Sequence, residues 1–155
     1  MKRILGIDPG LQRTGWGIVS IQGNALSYIA SGVIKTDGTD DVFARLVTIE
    51  QELDKVITLH QPTHAAIEET FMNNNAASAI KLGMARGAAA LVPARHGLKV
   101  AEYAANTVKK SVVGAGHADK AQIQAMVKIL LPQAPKSGAD EADALAIAIC
   151  HAHHI

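Results

Sequence analysis

A chain of 155 residues, 48% apolar and 19% charged, can bury a sizeable core and is too apolar to be disordered. Its single cysteine, Cys150, excludes an internal disulfide and a cysteine-based zinc site, which fits a reducing, cytoplasmic setting. The net charge of +1 names no partner, but residues 1–80 hold 6 basic and 9 acidic side chains, 81–120 hold 7 and 2, and 121–155 hold 2 and 3. A basic middle between acidic ends reads either as a solvated face or as a surface for a phosphate backbone.

Met1-Lys2-Arg3 has the charge of a signal peptide, but the apolar stretch after it breaks at Asp8, short of the ~7–15 residues an export signal needs. No run approaches the ~18 apolar residues of a membrane span. Ile4-Leu5-Gly6-Ile7 is apolar on both faces, as in a central strand covered on both sides, and it ends in a carboxylate, Asp8. Pro9-Gly10 turns the chain, and a second strand, Gly15–Ile21, returns. Gln22-Gly23-Asn24 reads as a hairpin turn into a third strand, Ala25–Ile34. From Asp40, Val42, Leu46, Ile49, Leu53 and Val56 recur at helical spacing up to Pro62 and predict an amphipathic helix with one buried face and no chemistry of its own.

Thr63–Glu68 repeats the opening pattern, a short apolar strand ending in an acid. Asn73-Asn74-Asn75 can cap a helix running to about Arg95. Gly83 and Gly87 in that helix allow close approach, either of the helix to the sheet or of two helices from two subunits. Leu98–Tyr103 is a further strand, and Ala104–Val113 a short helix carrying Lys109 and Lys110, ended by Gly114-Ala115-Gly116. Asp119 and Gln122 have capping-box spacing for a helix over Lys120–Leu131. A last helix runs from about Ala139 to the C-terminus. The order β-β-β-α-β-α-β-α-α-α predicts one mixed α/β domain over residues 1–155.

Ser137 has the position of an N-cap for the last helix, and acids suit a helix N-terminus. Capping explains Asp140 and Glu141 but not Asp143. At about 100° per residue Asp143 lies about 60° from Asp140 and about 160° from Glu141, so Asp140 and Asp143 share a face of an otherwise apolar helix. Apolar structure thus ends in carboxylates at three places: Asp8, Glu68 and the Asp140/Asp143 pair. Parallel pairing of the Asp8 and Glu68 strands, about 4.8 Å apart, with the last helix crossing their ends, would gather all four. Clustered carboxylates cannot all ionise unaided, and bound divalent cations resolve the conflict. An all-oxygen set suits Mg²⁺ or Mn²⁺, and two such metals serve in-line phosphodiester displacement.

The chain resembles the bacterial RuvC family, the Holliday-junction resolvases, over nearly its whole length. The likeness lies in Ile7-Asp8-Pro9-Gly10, Ala66-Ile67-Glu68 with Phe71, Asn75-Ala76, Lys81-Leu82-Gly83-x-Ala85-Arg86-Gly87, Glu102-Tyr103-Ala104, Val108-Lys109, Lys120-x-Gln122 and Ala139–Ala148. The resemblance implies a ribonuclease-H-like fold with a five-stranded sheet in the order 3-2-1-4-5, strand 2 antiparallel. It implies a homodimer, joined in part by the glycine-bearing helix at 76–94, that acts on four-way DNA junctions and works with the RuvA–RuvB branch-migration machine. It assigns Asp8, Glu68, Asp140 and Asp143 as catalytic acids holding two Mg²⁺ per active site, with Mn²⁺ as a substitute. Lys109 and Lys120 would contact the scissile backbone, Phe71 would stack beside a base near the crossover, and Arg86 would be a further DNA contact. The implied reaction is paired, symmetric nicking that leaves 5′-phosphate and 3′-hydroxyl ends, in recombination and repair in the bacterial cytoplasm.

The chain departs from the family member most readily compared at Glu69, where that member has an amide. Alternation turns Glu69 away from the site if the strand continues. The alternatives are a related nuclease acting on RNA–DNA hybrids and a junction-binding protein without catalysis; an actin-like ATPase needs two such halves. His151, His153 and His154 have metal-like spacing but read as surface at a fraying chain end.

Overall fold

The computed structural model describes residues 1–69, 75–114, 116–136 and 138–155. The elements are β1 (Lys2–Asp8), β2 (Arg13–Gln22), β3 (Ala25–Lys35), α1 (Val42–His60), β4 (His64–Glu68), α2 (Ala76–Arg95), β5 (Val100–Tyr103), α3 (Ala105–Val113), α4 (Lys120–Leu130) and α5 (Ala139–His154). The sheet order is β3-β2-β1-β4-β5, with β2 antiparallel to β1 and β3, and β4 parallel to β1 and β5. This is the ribonuclease-H-like arrangement the resemblance implied.

Helices cover both faces. Ile49, Leu53 and Ile57 of α1 and Ala85, Ala89 and Val92 of α2 pack on Leu5, Ile7, Ile18 and Ile67. On the other face α3, α4 and α5 pack on Ile4, Val19 and Ala66. Successive β1 residues thus bury on opposite faces, which is why the strand is apolar throughout. Among the described residues no helix is long and apolar enough to cross a membrane.

Local signals set most element ends. Asp41, one residue beyond the Asp40 of the sequence reading, caps α1 by accepting from the Ala44 N–H at 3.0 Å. The expected capping box at Asp119 and Gln122 is formed, with both reciprocal bonds present. Asn75 caps α2 through the Ser78 N–H. Helix α5 departs from expectation: its N-cap is Gly138, with no side-chain cap bond, and Ser137 lies outside the described residues.

The seat of α5 is made by glycine. A Cβ on Gly6 would collide with the Ala144 carbonyl and stand 2.7 Å from the Ala148 nitrogen, and one on Gly15 would collide with the Asp140 carbonyl. Backbone therefore packs on backbone, and α5 lies directly on β1 and β2.

The histidine-rich end of α5 does not fray. His151 is only 6% exposed, and its Nδ1 lies 2.6 Å from the Tyr103 hydroxyl. His153 pairs with the Ser111 hydroxyl of α3 and His154 with the Cys150 carbonyl. His151 is thus packed against β5, whereas His153 and His154 are exposed, so the surface reading holds for those two and fails for His151 alone.

Candidate active site

Strands β1 and β4 run in parallel with Ile7 opposite Ile67, so both end at an acid at the same edge, Asp8 and Glu68. Asp8 is opposite Gly15 in the antiparallel pair, and Gly15 carries the Asp140 turn of α5 against it. One helical turn later Asp143 faces the same point.

The electrostatics record how close these groups are. Burial pushes Asp8 up from its ordinary 3.8 to about 7, with the charges of Asp143, Glu68 and Asp140 pushing the same way and Lys120 opposing. Burial and Asp143 raise Glu68, against Lys109. Asp143 is likewise raised by burial, with Asp140 adding to the rise while Lys120 and Lys109 oppose it. Four acids from three distant stretches therefore share one field. Glu68 and Asp143 line a recess of about 450 Å³ together with Lys109, Lys120, Asp119 and Ile123. Lys109 reaches it from α3, whose Val108 and Val112 are anchored in the core, and Lys120 from the first residue of α4.

Among the described residues, no three His, Cys, Asp or Glu side chains are drawn close enough to hold a metal ion as they stand. The donor chemistry nonetheless fits a hard divalent cation: all four groups are carboxylates, and the ionised form each would need as a ligand is the one the shared field opposes at Asp8, Glu68 and Asp143.

The other candidates fall differently. Glu69 continues the strand pairing by donating its N–H to the Tyr103 carbonyl at 2.8 Å, so alternation turns its side chain from the face that Glu68 occupies. The guanidinium of Arg86 is engaged within the fold, 3.2 Å from Glu102 and with its Nε 3.5 Å from the Glu68 carbonyl oxygen. Phe71 lies outside the described residues. Sequence reasoning missed Arg13 and the partner that holds Glu141. Arg13, at the start of β2, places its guanidinium 3.9 Å from Asp140 and adds a third cation beside the acids. Glu141 points off the site, as helical phase predicts, and accepts a hydrogen bond from the Ser31 hydroxyl of β3 at 3.2 Å. The signal for Arg13 was present: the β1–β2 hairpin places it near Gly15, two residues on.

Comparison with known proteins gives the family and supports the fold. Residues 4–151 match the family model described as Crossover junction endodeoxyribonuclease RuvC. The protein of that name from Rhodopseudomonas palustris is 61% identical over 152 residues, covering 98% of this chain and 87% of its own. That from Allorhizobium ampelinum is 59% identical over 152 residues, covering 98% of this chain and 90% of its own. The solved structure of T. thermophilus RuvC in complex with Holliday junction substrate superposes with a TM-score of 0.92 at 31% identity, over 99% of this chain and 94% of that one. The chain belongs to the RuvC family of crossover junction endodeoxyribonucleases.

Proposed function

We propose that this chain is a divalent-metal-dependent endonuclease that resolves four-way DNA junctions by paired, symmetric nicks. The observation that supports the reading is the electrostatic field shared by Asp8, Glu68, Asp140 and Asp143, next to a recess that Glu68 and Asp143 line with Lys109 and Lys120. These four acids would hold the metal, two Mg²⁺ per site with Mn²⁺ able to replace them. Such cations, when bound, supply Lewis-acid polarisation of the phosphodiester and lower the pKa of the attacking water. The chain's own residues do the rest. Lys109 and Lys120 hold the scissile phosphate in the recess and offset the charge that builds on the departing 3′ oxygen. The Gly6 and Gly15 contacts fix α5, and with it the spacing of the acids on the helix from those on the strands. As the bond from water oxygen to phosphorus forms, the bond from phosphorus to O3′ breaks, leaving 5′-phosphate and 3′-hydroxyl ends for ligation.

Paired nicks need two sites, and α2 supports a homodimer. Ile80, Met84 and Leu91 are exposed, and a Cβ on Gly83 or Gly87 would meet nothing within 4 Å. At about 100° per residue these five positions fall within one 100° arc, opposite the buried Ala85 and Ala89. The two glycines thus face away from the sheet, which favours helix-to-helix contact between subunits over packing within the chain. Work alongside a RuvA–RuvB machine in the bacterial cytoplasm completes the reading.

The test is incubation with a synthetic four-way junction, a linear duplex and an RNA–DNA hybrid, with and without Mg²⁺. Symmetric nicks in the junction alone, absent without the metal, are the expected result. Preferential cutting of the hybrid, or junction binding with no cutting, would overturn the reading.

A further inference from the structure

We propose that Glu141 is a positioning residue for the catalytic acids of α5, held through Ser31 and Tyr28 by a bulge in β3. The inference rests on the assignment of Asp140 and Asp143 as cation ligands.

Strand β3 pairs with β2 through Val19 opposite Tyr28 and Ile18 opposite Ala30, so Ile29 is an extra residue. In a regular strand, residues three apart, such as Tyr28 and Ser31, face opposite sides. The extra residue changes the parity. Their partners are Val19 and Gly17, two apart, so Tyr28 and Ser31 both face α5. There the Tyr28 hydroxyl lies 3.0 Å from the Ser31 hydroxyl, which donates to Glu141 Oε2 at 3.2 Å.

Apart from the buried Ala142, the first turn of α5 has few contacts to orient it among the described residues. Gly138 offers no side-chain cap, the first backbone bond from the Ala142 N–H to the Gly138 carbonyl is long at 3.3 Å, and the Arg13–Asp140 pair is exposed. Beyond that turn residues 144–152 are buried and fix the helix in the core. The turn that carries Asp140 and leads to Asp143 is thus oriented by the Gly15 contact beneath and by Glu141 at its side. Groups that orient metal ligands from behind alter metal affinity or activity by about 10–100-fold when removed.

The test measures Mn²⁺ binding to the DNA-free protein by calorimetry, the Mg²⁺ concentration for half-maximal junction cleavage, and junction affinity in EDTA. Glu141→Ala should weaken Mn²⁺ binding and raise the Mg²⁺ midpoint by about tenfold, with junction affinity in EDTA unchanged. Glu141→Gln keeps an oxygen that accepts from Ser31 and should restore both. Ser31→Ala, which removes only a hydroxyl, should reproduce the loss, and the double variant with Glu141→Ala should be no worse than either single one. Unchanged metal affinity in Glu141→Ala, a Gln variant as impaired as the Ala variant, or additive single effects would each overturn the inference. Asp143→Asn separates this from the reading beneath it. If that variant binds Mn²⁺ like the unsubstituted protein, the acid assignment fails; if it loses Mn²⁺ while Glu141→Ala does not, only the bracing role fails.

Discussion

Replacing Asp8 with asparagine should destroy cleavage and stabilise the metal-free protein. Asp8 sits at about 7 in the folded chain against an ordinary 3.8. Each pH unit of that gap is worth roughly 1.4 kcal/mol, so the ionised carboxylate costs at most about 4 kcal/mol at pH 8. The asparagine amide must still be desolvated, and neighbouring side chains relax around a charge, so about 1–2 kcal/mol of relief is expected. For a chain of this size that is a rise in Tm of about 2–8 °C. The sign follows from proton binding. The folded chain holds the Asp8 proton more tightly than the unfolded chain does, so stability falls as pH rises from about 4 to about 7. By pH 5 the advantage of Asp8→Asn should shrink to about a third of its value at pH 8. The assay is thermal denaturation in EDTA at both pH values, repeated with Mg²⁺, which should raise the Tm of the unsubstituted protein and leave Asp8→Asn nearly unmoved. An asparagine variant no more stable than its parent at pH 8, or stabilised equally at both pH values, would refute the claim that burial, with the neighbouring acids adding to it, opposes the ionised form of Asp8.

Gly15→Ala places a methyl against the Asp140 backbone, so it should cost about 1–3 kcal/mol of stability and displace the acid; denaturant unfolding and cleavage assays check this, and a variant with native stability and activity would show that α5 is not seated there. Lys120→Met should lower the slope of log junction affinity against log salt by about 0.9 when measured in EDTA, since one phosphate contact is lost; an unchanged slope would remove Lys120 from the DNA surface.

The element order was legible because nearly every boundary carries a local signal: Asp41, Asn75 and Asp119 cap helices, Gly114 ends one in the left-handed region, and the acids end strands. The expected choice of Asp140 and Asp143 over Glu141 rests on helical phase together with the family resemblance; phase alone, which depends on nothing outside α5, turns Glu141 toward Ser31. What stayed hidden depends on partners distant in sequence. The bulge at Ile29 carries no glycine or proline to announce it, and without it Tyr28 and Ser31 fall on opposite faces. Burial of His151 requires Tyr103 of β5, His64 of β4 and the last turn of α5 to meet, which no local pattern encodes. The resemblance implied a DNA contact at Arg86 and did not foresee that the same side chain reaches Glu102 and the Glu68 carbonyl from a neighbouring element.

The seat of α5 ties stability and chemistry together. A helix carrying side chains against side chains would stand off the sheet and leave Asp140 and Asp143 short of Asp8 and Glu68. Gly6 and Gly15 remove that spacing, so Ala144 and Asp140 rest on strand backbone. The same closeness brings the acids into one field and buries Asp8 far enough to lift it to about 7. The same packing therefore opposes the ionised carboxylates, and a divalent cation held by them, as proposed above, would reverse the sign by favouring the ionised form. The rigid part of α5 is over-determined by its apolar contacts, so tuning falls to its first turn, where one glycine contact and one carboxylate on a bulged edge strand set the geometry. A substitution there should act first on metal affinity, and one deeper in the helix first on folding.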